Sequence, residues 1–271
     1  MIGLSINHPS ARPALATAAR FAVRDATGAA RRNLLRLVRT PLMVVLKAVE
    51  PAVFLVVFLY VFGGAIRVQG SNYVDYLTPA IFIWAVLFGG ITTSINASQD
   101  LHGGIIDRQR SLPMARSAIL AGRTLADLGG SVFTVAVMVG LGTLLGFRFH
   151  TGVPAIMTGM AMILVFAYAS SWFFAAIGLA TDDQPTAEAF ALLPITILGF
   201  VSNSFVPVAT MPGWLQPFAR NQPVSVTVSC VRALFEGGPA AHWLWQALAW
   251  AAGIILLAFA ITVRGRSKGA S

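Results

Sequence analysis

Lys47 and Glu50 stand three residues apart in an apolar run, so a helix would place an ammonium and a carboxylate on one face. Two chemistries are open to them. One is proton relay through a carboxylate inside a bilayer. The other is an ion pair at the membrane interface, which is the cheaper arrangement because a charge at bilayer centre costs at least about 2.5 kcal/mol. Pro51 could kink the same run. Other reactive side chains are spread thinly. His8, His102, His150 and His242 fall in different segments and Cys230 is the single cysteine, so there is no metal-ligand spacing and no internal disulfide. No Ser/His/Asp arrangement can be read from spacing, so no catalytic residue is assigned. No G-x-x-x-x-G-K-[ST] phosphate loop is present, so an energy source must lie on another polypeptide.

The segment 100–123, DLHGGIIDRQRSLPMARSAILAGR, mixes charge with apolar residues. Gly103 and Gly104 can end a preceding helix, and Ile105 to Arg110 can form about one to two turns. Leu112 and Pro113 then stop it, because proline disfavours helix in the residue before it. The spacing predicts a short helix in which Ile105, Ile106 and Leu112 fill a partner's groove while Asp107, Arg108 and Arg110 fix its register. An ordinary positively charged loop that sets topology has the same composition, and composition leaves both readings open.

What must position these groups is a membrane bundle. Of 271 residues, 56% are hydrophobic and 11% charged, too little polar surface to cover a water-soluble globule, so a soluble enzyme is excluded. Apolar runs bounded by charge, glycine or proline predict six crossings, at about 43–64, 76–98, 120–146, 154–179, 187–206 and 242–263. The fold class expected is an all-α polytopic membrane protein. With the N-terminus inside, fifteen of the 19 basic residues fall on the cytoplasmic side, leaving Arg67, Arg148, Arg220 and Arg232 outside. The positive-inside rule therefore puts both termini in the cytosol. The net charge of +9 follows that topology and gives no reason to expect nucleic acid. One connection dissents: the stretch around Asp182, Asp183 and Glu188 has no Lys or Arg, and span count alone places it inside.

Two stretches are not simple spans. Residues 1–40 form a basic leader with seven arginines and no apolar core long enough for a signal peptide. Phe21, Leu34, Leu35, Leu37 and Val38 among those arginines allow an amphipathic helix along the inner leaflet, most plainly over 29–40; a basic tail is the alternative. Residues 207–241 carry Met211, Trp214, Leu215, Phe218, Val224, Val226, Val228, Val231, Leu234 and Phe235, punctuated by Pro207, Pro212, Pro217 and Pro223. That is more apolar surface than a solvated loop needs, in runs too short to span, so short helices dipping into or lying on the outer membrane face are expected. Residues 41–271 then make one six-helix domain, with a cytosolic loop at 99–117 and an outer re-entrant hairpin at 207–241. Gly142 and Gly146 make a G-x-x-x-G, a pattern common in membrane helices.

The block Asp100, Leu101, Gly104, Ile105, Asp107, Arg108, Arg110, Ser111, Leu112, Pro113, Ala115 and Arg116 closely resembles the cytosolic loop of type 2 ABC exporter permeases of the daunorubicin-resistance kind. Tyr60 to Ile66 resembles the end of that family's first crossing. Phe205 to Pro207 and Met211 to Phe218 resemble its outer hairpin, continued by Asn221 to Val224 and Arg232 to Leu234. The blocks run in the family's order and spacing from residue 29 to the end. Gln109 departs from the pattern, since many relatives carry an aromatic residue there.

The resemblance implies a permease subunit in a bacterial plasma membrane that pairs with a second permease, identical or paralogous, and with two copies of a separate ABC ATPase. ATP and Mg would sit on the ATPase and no cofactor on this chain. It implies that the short cytosolic helix (Ile105, Ile106, Asp107, Arg108, Arg110, Ser111, Leu112, Pro113) couples ATPase closure to the membrane bundle. It also implies a cargo path along the first, second and fifth crossings, where Phe54, Phe58, Trp84, Phe88, Phe200 and Phe205 are the aromatic candidates. Such residues more often face lipid or neighbouring helices. Drugs and lipids or glycolipids fit the same apolar walls. A proton-driven carrier through Glu50 and a membrane scaffold are the rival readings; the absence of inverted repeats counts against the carrier.

Overall fold

Proline and hydrogen-bonding side chains mark where several helices of this chain begin. Asp183 accepts a hydrogen bond from the Thr186 N–H through Oδ1 at 2.7 Å, with Pro185 in the first turn, where its missing N–H costs nothing. Gln222 does the same for Val224 at 2.7 Å, ahead of Pro223. The computed structural model describes residues 41–66, 68, 72–102 and 116–264. Within them, regular structure is helical, with no strand.

The helices are α1 (Pro41–Val57), which continues as a π-turn over Phe58–Phe62, then α2 (Tyr73–His102), α3 (Arg116–Leu144), α4 (Val153–Leu179) and α5 (Gln184–Phe200). A 3₁₀ turn at Val208–Thr210 leads to α6 (Gln216–Asn221), α7 (Pro223–Glu236) and α8 (Ala241–Arg264). Helices α2, α3, α4 and α8 contain stretches long and apolar enough to cross a bilayer, while the apolar part of α1 and its π-turn, Ala48–Phe62, is shorter. α5 has 17 residues and ends six residues before the 187–206 crossing expected would. Its early end has a local cause. Ser202 donates to the Gly199 carbonyl, accepts from the Ser204 N–H at 3.1 Å and bonds the Ser204 hydroxyl at 2.7 Å, so side chains take the bonds a helix would have used.

Helix α2 is the core. Leu77 and every residue from Ala80 to Phe88 are buried, and α1, α3, α4, α5 and α7 all pack on it. Small residues set the approach distances: a Cβ on Gly178 of α4 would stand 2.0 Å from the Ser94 carbonyl oxygen of α2. In the G-x-x-x-G of α3, the two glycines do different work. A Cβ on Gly142 would meet Thr78 of α2 at 2.7 Å, whereas Gly146 has φ +105° and forms the turn that ends the helix. Pro51 lies inside α1, whose helix runs on through it. The outer surface is apolar, with Val53, Val57 and Tyr60 on α1 and its π-turn, and Trp245, Leu256 and Phe259 on α8, all exposed. Water would penalise that surface and hydrocarbon would not.

The segment expected to dip or lie flat folds as a helical hairpin whose tip is inserted between other helices. Gln222 donates to the Leu198 carbonyl of α5 at 2.9 Å, and the Trp250 indole of α8 donates to the Asn221 carbonyl at 2.9 Å. From that tip α7 runs back along α4, burying Val224, Val226, Val228, Cys230, Val231 and Phe235. It ends at Gly237, whose left-handed φ of +91° closes the helix. The leader helix expected in residues 1–40 lies outside the described residues.

Candidate functional site

The three elements expected to line a path meet at one aromatic cluster. Phe54 of α1 stacks on Trp84 of α2, with ring centroids 5.4 Å apart, and packs tilted against Phe88 at the same distance. Phe58, at the start of the π-turn, stacks on Phe205 at 4.1 Å. Trp84 touches Phe205 at 4.9 Å and meets Phe200 edge-on at 5.1 Å, and Phe200 touches Phe205 at 5.6 Å. All six rings are thus one connected group. Phe62, stacked on Phe58 at 5.0 Å, extends it and was not singled out from spacing.

Local backbone explains how three distant segments converge. Gly199 presents no side chain where the Trp84 ring lies; a Cβ there would stand 2.5 Å from that ring. The chain leaves helix at Val201 and so turns Phe205 back toward α2, where the Tyr73 hydroxyl donates to the Phe205 carbonyl at 3.3 Å. The cluster grades from interior to surface: Trp84 is 1% exposed, Phe54 and Phe58 are half-buried, and Phe200 is 48% exposed. The Trp84 indole nitrogen is buried and has no hydrogen-bond partner among the described residues. Such a wall suits flat apolar or amphipathic molecules, which stack on rings without demanding charge.

Beside it, at the end of α2 nearest the α3–α4 connection, lies a polar cluster. Arg232 of α7 donates to the Tyr76 carbonyl from Nε at 3.1 Å and Nη2 at 2.8 Å, and to the Asn203 carbonyl at 3.2 Å. Tyr76 donates its hydroxyl to the same Asn203 carbonyl at 2.8 Å. Asp75, 6% exposed, accepts from the Arg148 N–H at 3.2 Å and faces His150 Nε2 at 3.3 Å. Its place in the first turn of α2 adds the favourable field of a helix N-terminus. Burial holds the Glu236 carboxyl above the usual carboxylate range, and nearby Asp75 pushes the same way while Arg232 and His150 oppose it. Spacing could not have found this group, since its members come from four separate segments. Charges embedded between apolar runs were the available signal, and Arg232 had been read only as an outside charge and part of a family block.

Glu50 is exposed on α1. The eight residues expected to couple to an ATPase, Ile105, Ile106, Asp107, Arg108, Arg110, Ser111, Leu112 and Pro113, lie outside the described residues; the helices on either side, α2 and α3, end and begin at His102 and Arg116.

A family model described as ABC-2 type transporter matches residues 28–235. The chain is 34% identical over 215 residues to a daunorubicin resistance ABC transporter permease protein, DrrB1, of Streptomyces coeruleorubidus, covering 79% of this chain and 76% of that one. It is 29% identical over 250 residues to a probable doxorubicin resistance ABC transporter permease protein, DrrC, of Mycobacterium tuberculosis, covering 92% and 90%. A putative transport permease, ycf38, of Cyanophora paradoxa is 23% identical over 222 residues, covering 80% of this chain and 74% of the relative.

Proposed function

The chain belongs to the ABC-2 type transporter family, and from that premise we propose that it is the permease subunit of an ATP-driven exporter that moves hydrophobic or amphipathic compounds out of the cell. The observation that carries the reading is the aromatic cluster, which joins α1, α2 and the end of α5 and reaches the surface at Phe200. Relatives named for daunorubicin and doxorubicin resistance point to flat, amphipathic cargo of that kind. Lipid or glycolipid cargo would use the same walls.

In this reading the chain crosses the membrane six times with both termini in the cytosol, α1 and α5 being the two shorter crossings. A second permease, identical or paralogous, faces the exposed apolar side of α1, so the aromatic walls of two subunits flank one path. Two copies of a separate ATPase bind ATP and Mg and press on the cytosolic loop between α2 and α3. Ile105, Ile106 and Leu112 fill a groove on that ATPase, while Asp107, Arg108 and Arg110 hold register and Pro113 keeps the loop stiff. Closure of the ATPase pair then moves α2, the helix on which the bundle is packed, and opens the path outward.

The test is reconstitution of this chain with its candidate ATPase in proteoliposomes loaded with daunorubicin. ATP-dependent movement that disappears without the ATPase is expected. Movement of cargo by this chain alone would overturn the assignment.

A further inference from the structure

Helices α5 and α8 both lean on α4 and do not pack against each other. The gap between them is a cavity of about 370 Å³. Its floor includes Ser170 and Phe173 of α4, its sides include Leu198 of α5 and Leu257 of α8, and its outer end is closed by the hairpin tip at Asn221 and Gln222. It is separate from the aromatic cluster. Leu198 and Phe200 are two residues apart, roughly 200° around the helix, so α5 presents one face to each.

The polar groups at the hairpin tip are already engaged. The Trp250 indole donates to the Asn221 carbonyl at 2.9 Å, Asn221 Nδ2 donates to the Pro217 carbonyl at 2.9 Å, and Gln222 Nε2 donates to the Leu198 carbonyl at 2.9 Å and the Ser225 hydroxyl at 3.0 Å. The α4 wall contributes a single hydroxyl, Ser170. Water needs two to four polar partners to occupy a cavity, and a cavity with apolar walls takes apolar guests instead. The lining residue Leu257 is 56% exposed, and the neighbouring surface carries Leu193 and Ile197 of α5, also exposed, so the mouth of the cleft faces bilayer hydrocarbon.

We propose that this cleft holds an acyl chain of a membrane lipid, inserted between α5 and α8 and ending beneath the hairpin tip. The occupant is a hydrocarbon chain because the walls offer dispersion contacts and no free charge, and it comes from the bilayer because that is where the mouth opens. A chain seated there supports the Gln222 turn from below and so steadies the hairpin that carries Arg232.

The experiment uses the permease with its ATPase in nanodiscs of phosphatidylethanolamine and phosphatidylglycerol, doped with a phospholipid bearing a diazirine midway along one acyl chain. Illumination and peptide mass spectrometry locate the adducts. Adducts at Phe173, Leu198 and Trp250 are expected, and Ser170→Trp, which fills the cavity, lowers them several-fold relative to those on Val53 and Val57 of the exposed α1 surface. Leu257→Trp blocks the exposed mouth without entering the packed core and gives the same loss, so the test survives if the first variant fails to fold. Absence of cavity adducts, or yields in both variants unchanged from the wild type, overturns the proposal. Displacement of the label by excess daunorubicin also overturns it, by assigning the cleft to cargo. Labelling needs no ATP, so its outcome is independent of whether export is observed.

Discussion

The Arg232 guanidinium lies 3.6 Å from the centre of the Tyr76 ring and donates two hydrogen bonds to the carbonyl of that same residue. A ring, a carbonyl and the Asn203 carbonyl are thereby held by one planar cation, which ties the hairpin to α2. Lysine offers a point charge and cannot keep two parallel donors and the ring contact together. Arg232→Lys is expected to cost about 2 to 3 kcal/mol. Tyr76→Phe keeps the ring and removes only the hydroxyl donor to Asn203, costing about 1 kcal/mol. Thermal unfolding of the purified protein in detergent checks both; equal transitions for wild type and Arg232→Lys would contradict the role given to the guanidinium.

Glu236 sets a pH dependence whose sign can be worked out. Burial raises its folded pKa above the unfolded value, so the folded state favours the protonated carboxyl. Its favourable contribution is full below the unfolded pKa, about 4.3 for glutamate, and is lost as pH rises through the folded value. The wild type is therefore expected to lose stability over that window relative to Glu236→Gln, which stays neutral throughout. Melting temperatures of the two proteins from about pH 4 to pH 8 give the comparison. A constant difference across the range would show that Glu236 ionises in the fold as it does in water.

Apolar run length was enough to locate the long helices, because a helix that crosses a bilayer must present roughly 20 apolar residues whatever its neighbours are. The end of α5 was not legible in the same way. Phe200 to Val206 is apolar enough to continue a helix, and what stops it is a competition won by Ser202 and Ser204 side chains. The hairpin was legible as apolar and short, but its depth depends on Trp250 and Leu198, far away in sequence, accepting its tip. The aromatic residues were named by family resemblance; that they touch is a consequence of Gly199 leaving room for Trp84. Asp75, His150 and Glu236 were missed because each alone looks like a loop or interface charge.

Two members of the aromatic cluster should separate folding from transport. Trp84 is almost fully buried and touches rings from α1, α2 and the α5 end, so Trp84→Ala is expected to destabilise by about 3 to 5 kcal/mol and to reduce the amount of inserted protein. Phe200 stands at the surface end of the cluster, and Phe200→Ala should leave insertion and melting nearly unchanged while lowering drug efflux. Efflux and membrane abundance measured on the same cells decide it: normal efflux by Phe200→Ala would remove that ring from the path.

Close approach of α2 and α4 depends on Gly178. Even one methyl group there would fall 2.0 Å from the Ser94 carbonyl oxygen, which is backbone and cannot rotate away. Gly178→Ala is expected to force the helices apart at a cost of about 1 to 3 kcal/mol. Gly140→Ala on α3, where a Cβ meets nothing within 4 Å, is the control and should be silent or slightly stabilising. Detergent melting of the two variants, side by side, reads the difference.

In the proposed exporter the loop between α2 and α3 transmits force, and the decisive variants change its contact surface without touching the bundle. Arg108→Glu reverses a charge that would set register against the ATPase, and Pro113→Gly removes the fixed φ that stiffens the end of the loop. Because α2 is buried along most of its length and helices α1, α3, α4, α5 and α7 all pack on it, a push delivered at its loop end reaches the whole bundle. Both variants should insert normally and still assemble when the ATPase is supplied in excess, yet show ATP hydrolysis that no longer rises with added cargo, together with lost efflux. Measuring hydrolysis and efflux on one reconstituted preparation is what makes the result informative. Lost assembly points to a broken ATPase contact, hydrolysis without efflux in an assembled complex points to lost stiffness, and wild-type values for both would show that this loop serves only to set topology.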